Sequence, residues 1–318
     1  MSRPRRLLVV AGEPSGDAHA GRAVLEIRRR ASDTVIEAVG GPALLRAGAT
    51  VRWPAQPLSA RGFVESLAVL PRHVVLHRQI ARALGAGAYD AVLLVDYPGF
   101  NLAVARSARA AGVPVLYYVA PQLWAWGAWR ARRLRRDVTR LAAVLPFEEG
   151  YFSERGVATT FVGHPLLDVA RPDRPTARRE IGLPPQAMVL GLFPGSRADE
   201  IARHWPVFRD AARLLRQRHP ALEVVVGAIP GMSYPDADGC LLEAGGAAAF
   251  AAADAALCKS GTTTLEAALS DTPMVVAYRM SRGTYALARR LVRIAHVGLV
   301  NIVAGAAVTP ELIQDAAE

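Results

Sequence analysis

Two stretches of this chain join a glycine turn to hydroxyl or cationic side chains at the start of a helical pattern, a combination suited to phosphate chemistry. One is Lys259-Ser260-Gly261-Thr262-Thr263, which follows an apolar run ending at Cys258 and precedes apolar residues at helical spacing through Leu269. The other is Pro194-Gly195-Ser196-Arg197, which follows the apolar run 187–193 and precedes a helical stretch at 201–218, with Glu200 just before it. A helix start presents unpaired backbone N–H groups and the positive end of the helix dipole, so each turn suits a phosphate. Arg197 adds a planar guanidinium that matches a diphosphate. Glu266, about one turn into its helix, can accept hydrogen bonds from a sugar diol such as a ribose, or can form a capping box with Thr263. Asp96 ends the β-rich run 89–96, where a carboxylate can act as a general base or cap the helix that follows. Gly12-Glu13-Pro14-Ser15-Gly16-Asp17 lies between a short buried strand and a helix, at the sheet edge where open α/β folds bind ligands.

Strands and helices must alternate to hold such turns, and the hydrophobic pattern supplies them. Short apolar runs at 7–11, 35–41, 89–96, 113–119, 141–145 and 159–162 read as parallel strands, each followed by a helical or turn segment. The pattern restarts after the proline- and charge-rich residues 169–179, a linker candidate, with strands at 187–193, 222–229, 255–258 and 273–278. Residues 230–246 read as loop, 282–293 as a basic amphipathic helix, and a short helix is expected from Pro310. The expected fold is therefore α/β, with two Rossmann-like domains at 1–168 and 169–318.

Composition narrows the partners. The chain has 318 residues, a formal net charge of +10 and 52% hydrophobic residues, as a folded protein drawn to polyanions would. No nucleic-acid motif accompanies the charge, so a nucleic-acid partner is not expected. Cys240 and Cys258 lack metal-ligand spacing, and no run approaches the ~20 apolar residues of a membrane span, so a cytoplasmic protein is expected. Residues 58–84 mix Phe63, Val64, Leu67 and Leu70 with arginines; they suit either a membrane surface or a core-facing helix pair broken at Pro71.

Eight segments, in order, carry a more specific signal: AGEPSGD (11–17), DYPGFN (96–101), YVAPQLWAW (118–126), LPFEEGYF (145–152), FVGHPLLD (161–168), PGSRADEI (194–201), SGTTTLEAAL (260–269), and PMVVAYRMS (273–281) followed by ALARRLV (286–292). Together they resemble the lipid-A-disaccharide synthase family, the GT-B glycosyltransferases of family 19, over nearly the whole chain. The resemblance implies two Rossmann-like domains facing across a cleft, the first binding the acceptor and the membrane and the second binding a UDP-sugar. It implies a metal-independent, inverting transfer of 2,3-diacylglucosamine from its UDP derivative to the 6-hydroxyl of 2,3-diacylglucosamine 1-phosphate. No cofactor is expected. Asp96 matches the family's proposed base, and Arg197 would stabilise the leaving diphosphate. Glu13, Ser15, Gly16, Asp17 and Asn101 would line the acceptor side, with Gly195, Ser196, Glu200, Ser260, Gly261, Thr262, Thr263, Glu266 and Asn301 around the UDP-sugar.

A diacylated substrate favours the membrane reading of Phe63, Val64, Leu67 and Leu70, on the anionic inner-membrane surface, and a homodimer is compatible with it. The chain departs from the family at Gly99, often Asp there, and at Lys259, commonly a small residue there. The resemblance also implies further helices after Glu318 and a longer segment around 230–246. The rival readings are a UDP-N-acetylglucosamine 2-epimerase or an undecaprenyl-linked transferase, and a non-catalytic UDP-sugar-binding, membrane-associated protein.

Overall fold

The computed structural model describes residues 5–55, 63–244, 246–281, 283, 285, 290 and 294–317, with the backbone alone for 63–69 and 244. The chain divides into two units, Met1–Pro165 and Leu166–Glu318. In the first, β1 (Arg6–Ala11), α1 (Pro14–Arg30), β2 (Val35–Gly40), α2 (Pro42–Arg46), β3 (Thr50–Pro54), α3 (Phe63–Gly85), β4 (Ala91–Val95) and α4 (Pro98–Ala110) are followed by β5 (Val115–Tyr118), α5 (Ala131–Asp137), β6 (Arg140–Ala143), α6 (Pro146–Ser153) and β7 (Thr159–Phe161). The strands form one sheet in the order β3-β2-β1-β4-β5-β6-β7, with every pairing parallel.

Side chains alternate across a strand, and here the two faces feed two different cores. Leu8 and Val10 of β1, with Val92 and Leu94 of β4, pack with residues of α3 and α4 such as Ile80, Leu84 and Val104. Val9, Ala11, Leu93 and Val95, one residue out of phase, pack with Ala20 and Val24 of α1 and Leu44 of α2. Both faces are covered, which is why these strands read as unbroken apolar runs.

The second unit repeats the plan. It contains α7 (Arg174–Glu180), β8 (Val189–Phe193), α8 (Ala198–Arg218), β9 (Glu223–Ala228), β10 (Cys240–Ala244), α9 (Gly246–Ala252), β11 (Ala255–Lys259), α10 (Thr262–Leu269), β12 (Met274–Tyr278), α11 (Leu299–Ala304) and β13 (Glu311–Ile313). Its sheet is also parallel, in the order β10-β9-β8-β11-β12-β13. Val189 and Phe193 join one core with α7 and α9, and Leu190 and Leu192 join the other with Trp205 and Phe208 of α8. In each sheet the strand order reverses once, between β1 and β4 and between β8 and β11. Ligands of open α/β sheets bind at the carboxyl ends of strands at such a switch point.

Four local expectations are corrected. Residues 230–246 include an edge strand, β10, whose Leu241 and Leu242 are exposed, so its pattern lacks the buried face that marks a strand. Beyond Pro310 a strand, β13, pairs with β12 before a short 3-10 turn, in place of a helix. Pro71 sits inside α3 without breaking it, and α7 forms within the linker candidate, capped by Asp173, which accepts from the Thr176 N–H at 2.8 Å. The helix expected at 282–293 falls largely outside the described residues, as do the side chains of Phe63, Val64 and Leu67.

Candidate functional site

In the first unit the loops after β1 and β4 flank the switch point, and they carry Glu13 to Asp17 and Asp96 to Asn101. Asp96 and Tyr97 both have positive φ, +47° and +52°. Two successive left-handed residues with side chains cost about 1–3 kcal/mol each, so the turn persists only if its surroundings over-determine it. They do. Buried Asn101 donates its amide to the carbonyls of Asp96 at 2.7 Å and Val95 at 3.2 Å, and the Tyr117 hydroxyl donates to the Asp96 carbonyl at 2.6 Å. The Tyr97 ring lies so close to Gly12 that a Cβ there would collide with it, and the Tyr97 hydroxyl pairs with His73 Nε2. Burial, helped by the Glu13 charge, pushes the Tyr97 hydroxyl up to about 12, so it stays protonated. Glu13 is half-buried and Ser15 exposed beside this turn, with Gly16 buried against β4.

Asp17 is engaged with the main chain. Its buried carboxylate accepts from the N–H groups of Gly41 at 2.7 Å, Ala43 at 2.8 Å and Leu44 at 3.3 Å, capping α2 from a distance. A Cβ on Gly41 would come within 2.9 Å of that carboxylate, which explains the Gly40-Gly41 pair. The Asn101 amide nitrogen is likewise engaged with the main chain, while its Oδ1 is buried without a hydrogen-bond partner.

In the second unit the loops after β8 and β11 flank the switch point. Gly195 has φ +132° and Gly261 φ +148°, backbone that L side chains rarely adopt. Glu200 ties the two loops together: its carboxylate accepts from the Ser196 N–H at 3.1 Å and from Lys259 Nζ at 2.8 Å, with Arg197 at 3.8 Å. Burial works to raise its pKa, but Lys259, the Ser196 N–H and Arg197 outweigh that and hold it below the usual value. Glu200 thus gathers Lys259 and Arg197 beside the starts of α8 and α10.

His204, missed in the sequence because it sits among the apolar residues of α8, extends the junction. Its Nε2 accepts from the Arg279 N–H at 3.0 Å, which makes Nδ1 the donor to the Glu200 carbonyl at 2.7 Å. Burial lowers its pKa, so the ring is neutral. Thr262 is exposed and Thr263 half-buried at the start of α10, whose N-cap, Gly261, makes no side-chain capping bond. Glu266 lies one turn on; burial raises its carboxyl pKa, opposed by Arg171. The Ser260 hydroxyl donates to the Val297 carbonyl at 2.7 Å. Buried Asn301 donates to Glu311 and the Thr309 carbonyl and accepts from the Val308 and Thr309 N–H groups.

Solved structures with the same fold include a UDP-N-acetylglucosamine 2-epimerase from Neisseria meningitidis bound to UDP-GlcNAc, with a TM-score of 0.62 at 12% identity, covering 94% of this chain and 90% of that one. The Staphylococcus aureus MnaA–UDP structure scores 0.60 at 12% identity, covering 95% and 86%. At such identity the likeness establishes the GT-B architecture alone. The sequence relatives are far nearer. Lipid-A-disaccharide synthase of Anaeromyxobacter dehalogenans is 41% identical over 320 residues, 97% of this chain and 84% of that protein. The enzyme of that name from Geobacter metallireducens is 40% identical over 324 residues, 98% and 84%. The profile of the lipid-A-disaccharide synthetase family matches residues 7–318, from β1 to the end of the chain and so through both switch points, and the chain belongs to that family.

Proposed function

We propose a division of labour for the reaction that gives this family its name, the joining of two diacylglucosamine units. The chain is a glycosyltransferase of lipid A synthesis; the residue roles that follow are our reading. Asp96 takes the proton of the 6-hydroxyl of 2,3-diacylglucosamine 1-phosphate as O6 attacks the anomeric carbon of UDP-2,3-diacylglucosamine from the face opposite the diphosphate. The C1–O6 bond forms, the bond from C1 to the diphosphate oxygen breaks, and UDP leaves with the electron pair, so the product linkage is β-1,6. Arg197, Lys259 and the backbone N–H groups at the starts of α8 and α10 stabilise the charge on UDP without a metal. Glu266 accepts from the ribose hydroxyls.

The observation that carries the reading is that all four loops bearing these residues flank the reversal of strand order in their own sheet. The acyl chains find apolar surface on α3, where Leu70, Val74 and Val75 are exposed beside a cavity of about 360 Å³ lined by Trp53, Pro71 and Leu76 among others. With the net charge of +10, this supports a peripheral position on an anionic inner-membrane surface.

The test is disaccharide formation in detergent with EDTA present, comparing the wild type with Asp96→Asn. Asparagine tolerates the left-handed backbone, so the turn survives. Turnover that resists EDTA and falls about 10²–10⁴-fold in the variant is expected. A variant as fast as the wild type removes Asp96 as the base, and a chain that epimerises UDP-N-acetylglucosamine but makes no disaccharide overturns the reaction.

A further inference from the structure

Beside the Asp96 turn lies a groove of about 550 Å³ along α4 and α5 that none of the roles above uses. Its lining includes Arg106, Arg130, Arg133 and Arg136 against one carboxylate, Asp137. Asp137 is buried and holds Arg136 in a two-pronged pair at 2.8 and 2.7 Å, so that charge is already balanced. Among the described residues no carboxylate pairs with Arg106, Arg130 or Arg133.

Arg130 is held in place. Its guanidinium lies 4.2 Å over the Trp126 ring, and it passes so close to Gly127, at φ +76°, that a Cβ there would stand 2.8 Å from its Nε. That Nε is buried and has no hydrogen-bond partner. Burial first, and then the neighbouring Arg133 charge, push the Arg130 pKa down, opposed by Tyr117. Gathering like charges is unfavourable until an anion arrives.

We propose that this groove is a subsite for a phosphomonoester, and that the occupant is the anomeric phosphate of the acceptor sugar. The inference rests on the assignment of Asp96 as the base. Pro98 and Gly99, two and three residues beyond Asp96, form part of the groove wall, and nothing lies within 4 Å of where a Gly99 Cβ would stand. The acceptor carries its reacting 6-hydroxyl on the carbon attached to C5 and its anomeric phosphate on C1, and C1 and C5 flank the ring oxygen, so the phosphate lies within one sugar ring of the reacting hydroxyl. With the hydroxyl at Asp96, a phosphate one sugar away meets guanidiniums whose planar forks suit it. A phosphomonoester carries close to two charges at neutral pH and balances the site better than the single charge of a lipid phosphodiester.

The experiment uses the full chain with Arg106→Gln and Arg133→Gln, singly and together; both side chains are exposed, and an unchanged melting temperature confirms the fold. Acceptors with and without the anomeric phosphate are compared in detergent with one UDP donor. The wild type should prefer the phosphorylated acceptor. In the double variant the KM for that acceptor should rise about 10- to 100-fold, the donor KM should stay put, and the preference should collapse. Calorimetric binding of the two acceptors gives the same comparison without turnover, so an inactive Asp96 reading and an empty groove are told apart. Unchanged acceptor KM and binding overturn the proposal. So does a variant that loses only its flotation with phosphatidylglycerol vesicles, which would assign the groove to a headgroup.

Discussion

Asp96 and Tyr97 hold a conformation that most side chains avoid, and the groups that hold them there are Asn101, Tyr117 and Gly12. Removing the Tyr117 hydroxyl leaves the Asp96 carbonyl one donor short. Tyr117→Phe should therefore cost about 1 kcal/mol of stability, while kcat falls further than that loss explains, because the turn relaxes away from its strained form. Denaturation midpoints and single-turnover rates on one preparation check both. Gly12→Ala should be worse, since the new methyl displaces the Tyr97 ring; activity should drop at least tenfold with the donor KM retained.

At the scale of elements, α8 is joined to the ends of β11 and β12 through Glu200 and His204. Both groups have depressed pKa values in the fold, Glu200 below 4.5 and His204 below 6.5. Such a group contributes stability that is present above its unfolded value and is lost as pH falls through the folded one. Stability should thus decline as pH drops below 6.5, with a second decline below 4.5. His19, held at about 4 chiefly by burial, and half-buried His164 act in the same sense in the first unit. The His204→Gln variant separates the contributions: it should be less stable at pH 7 and lose less between pH 7 and 5. Lys259→Met should destabilise by about 1–3 kcal/mol, by leaving Glu200 without its close cation, and adding Glu200→Gln should recover part of that loss.

For the whole molecule, the charge of +10 and the apolar face of α3 act together. No helix among the described residues is long and apolar enough to cross a membrane. The membrane position proposed above predicts binding to vesicles that is anion-dependent and weakened by salt. Leu70→Ser with Val74→Ser removes exposed apolar area from α3, and flotation with anionic vesicles should weaken roughly tenfold. Neutral vesicles should bind poorly whichever variant is used.

The sequence by itself determined the alternation of strands and helices, because strands covered on both faces must be apolar throughout, as Leu8 to Ala11 and Val92 to Val95 are. It also determined the loops that matter, since only glycine enters the backbone conformations at 195 and 261 without strain, and each follows a strand. Edge strands escaped it: β10 buries too little to leave a periodic mark. The tertiary structure alone decided the partners of the buried polar residues. Nothing in the sequence ties Asp17 to the N–H groups of Gly41 and Ala43, or Asn301 to Glu311, because those partners lie on other segments. In the same way Arg106 and Arg133, unremarkable in a chain rich in arginine, become one charged groove only when α4 and α5 pack together, because charge acts through distance in space and not along the chain.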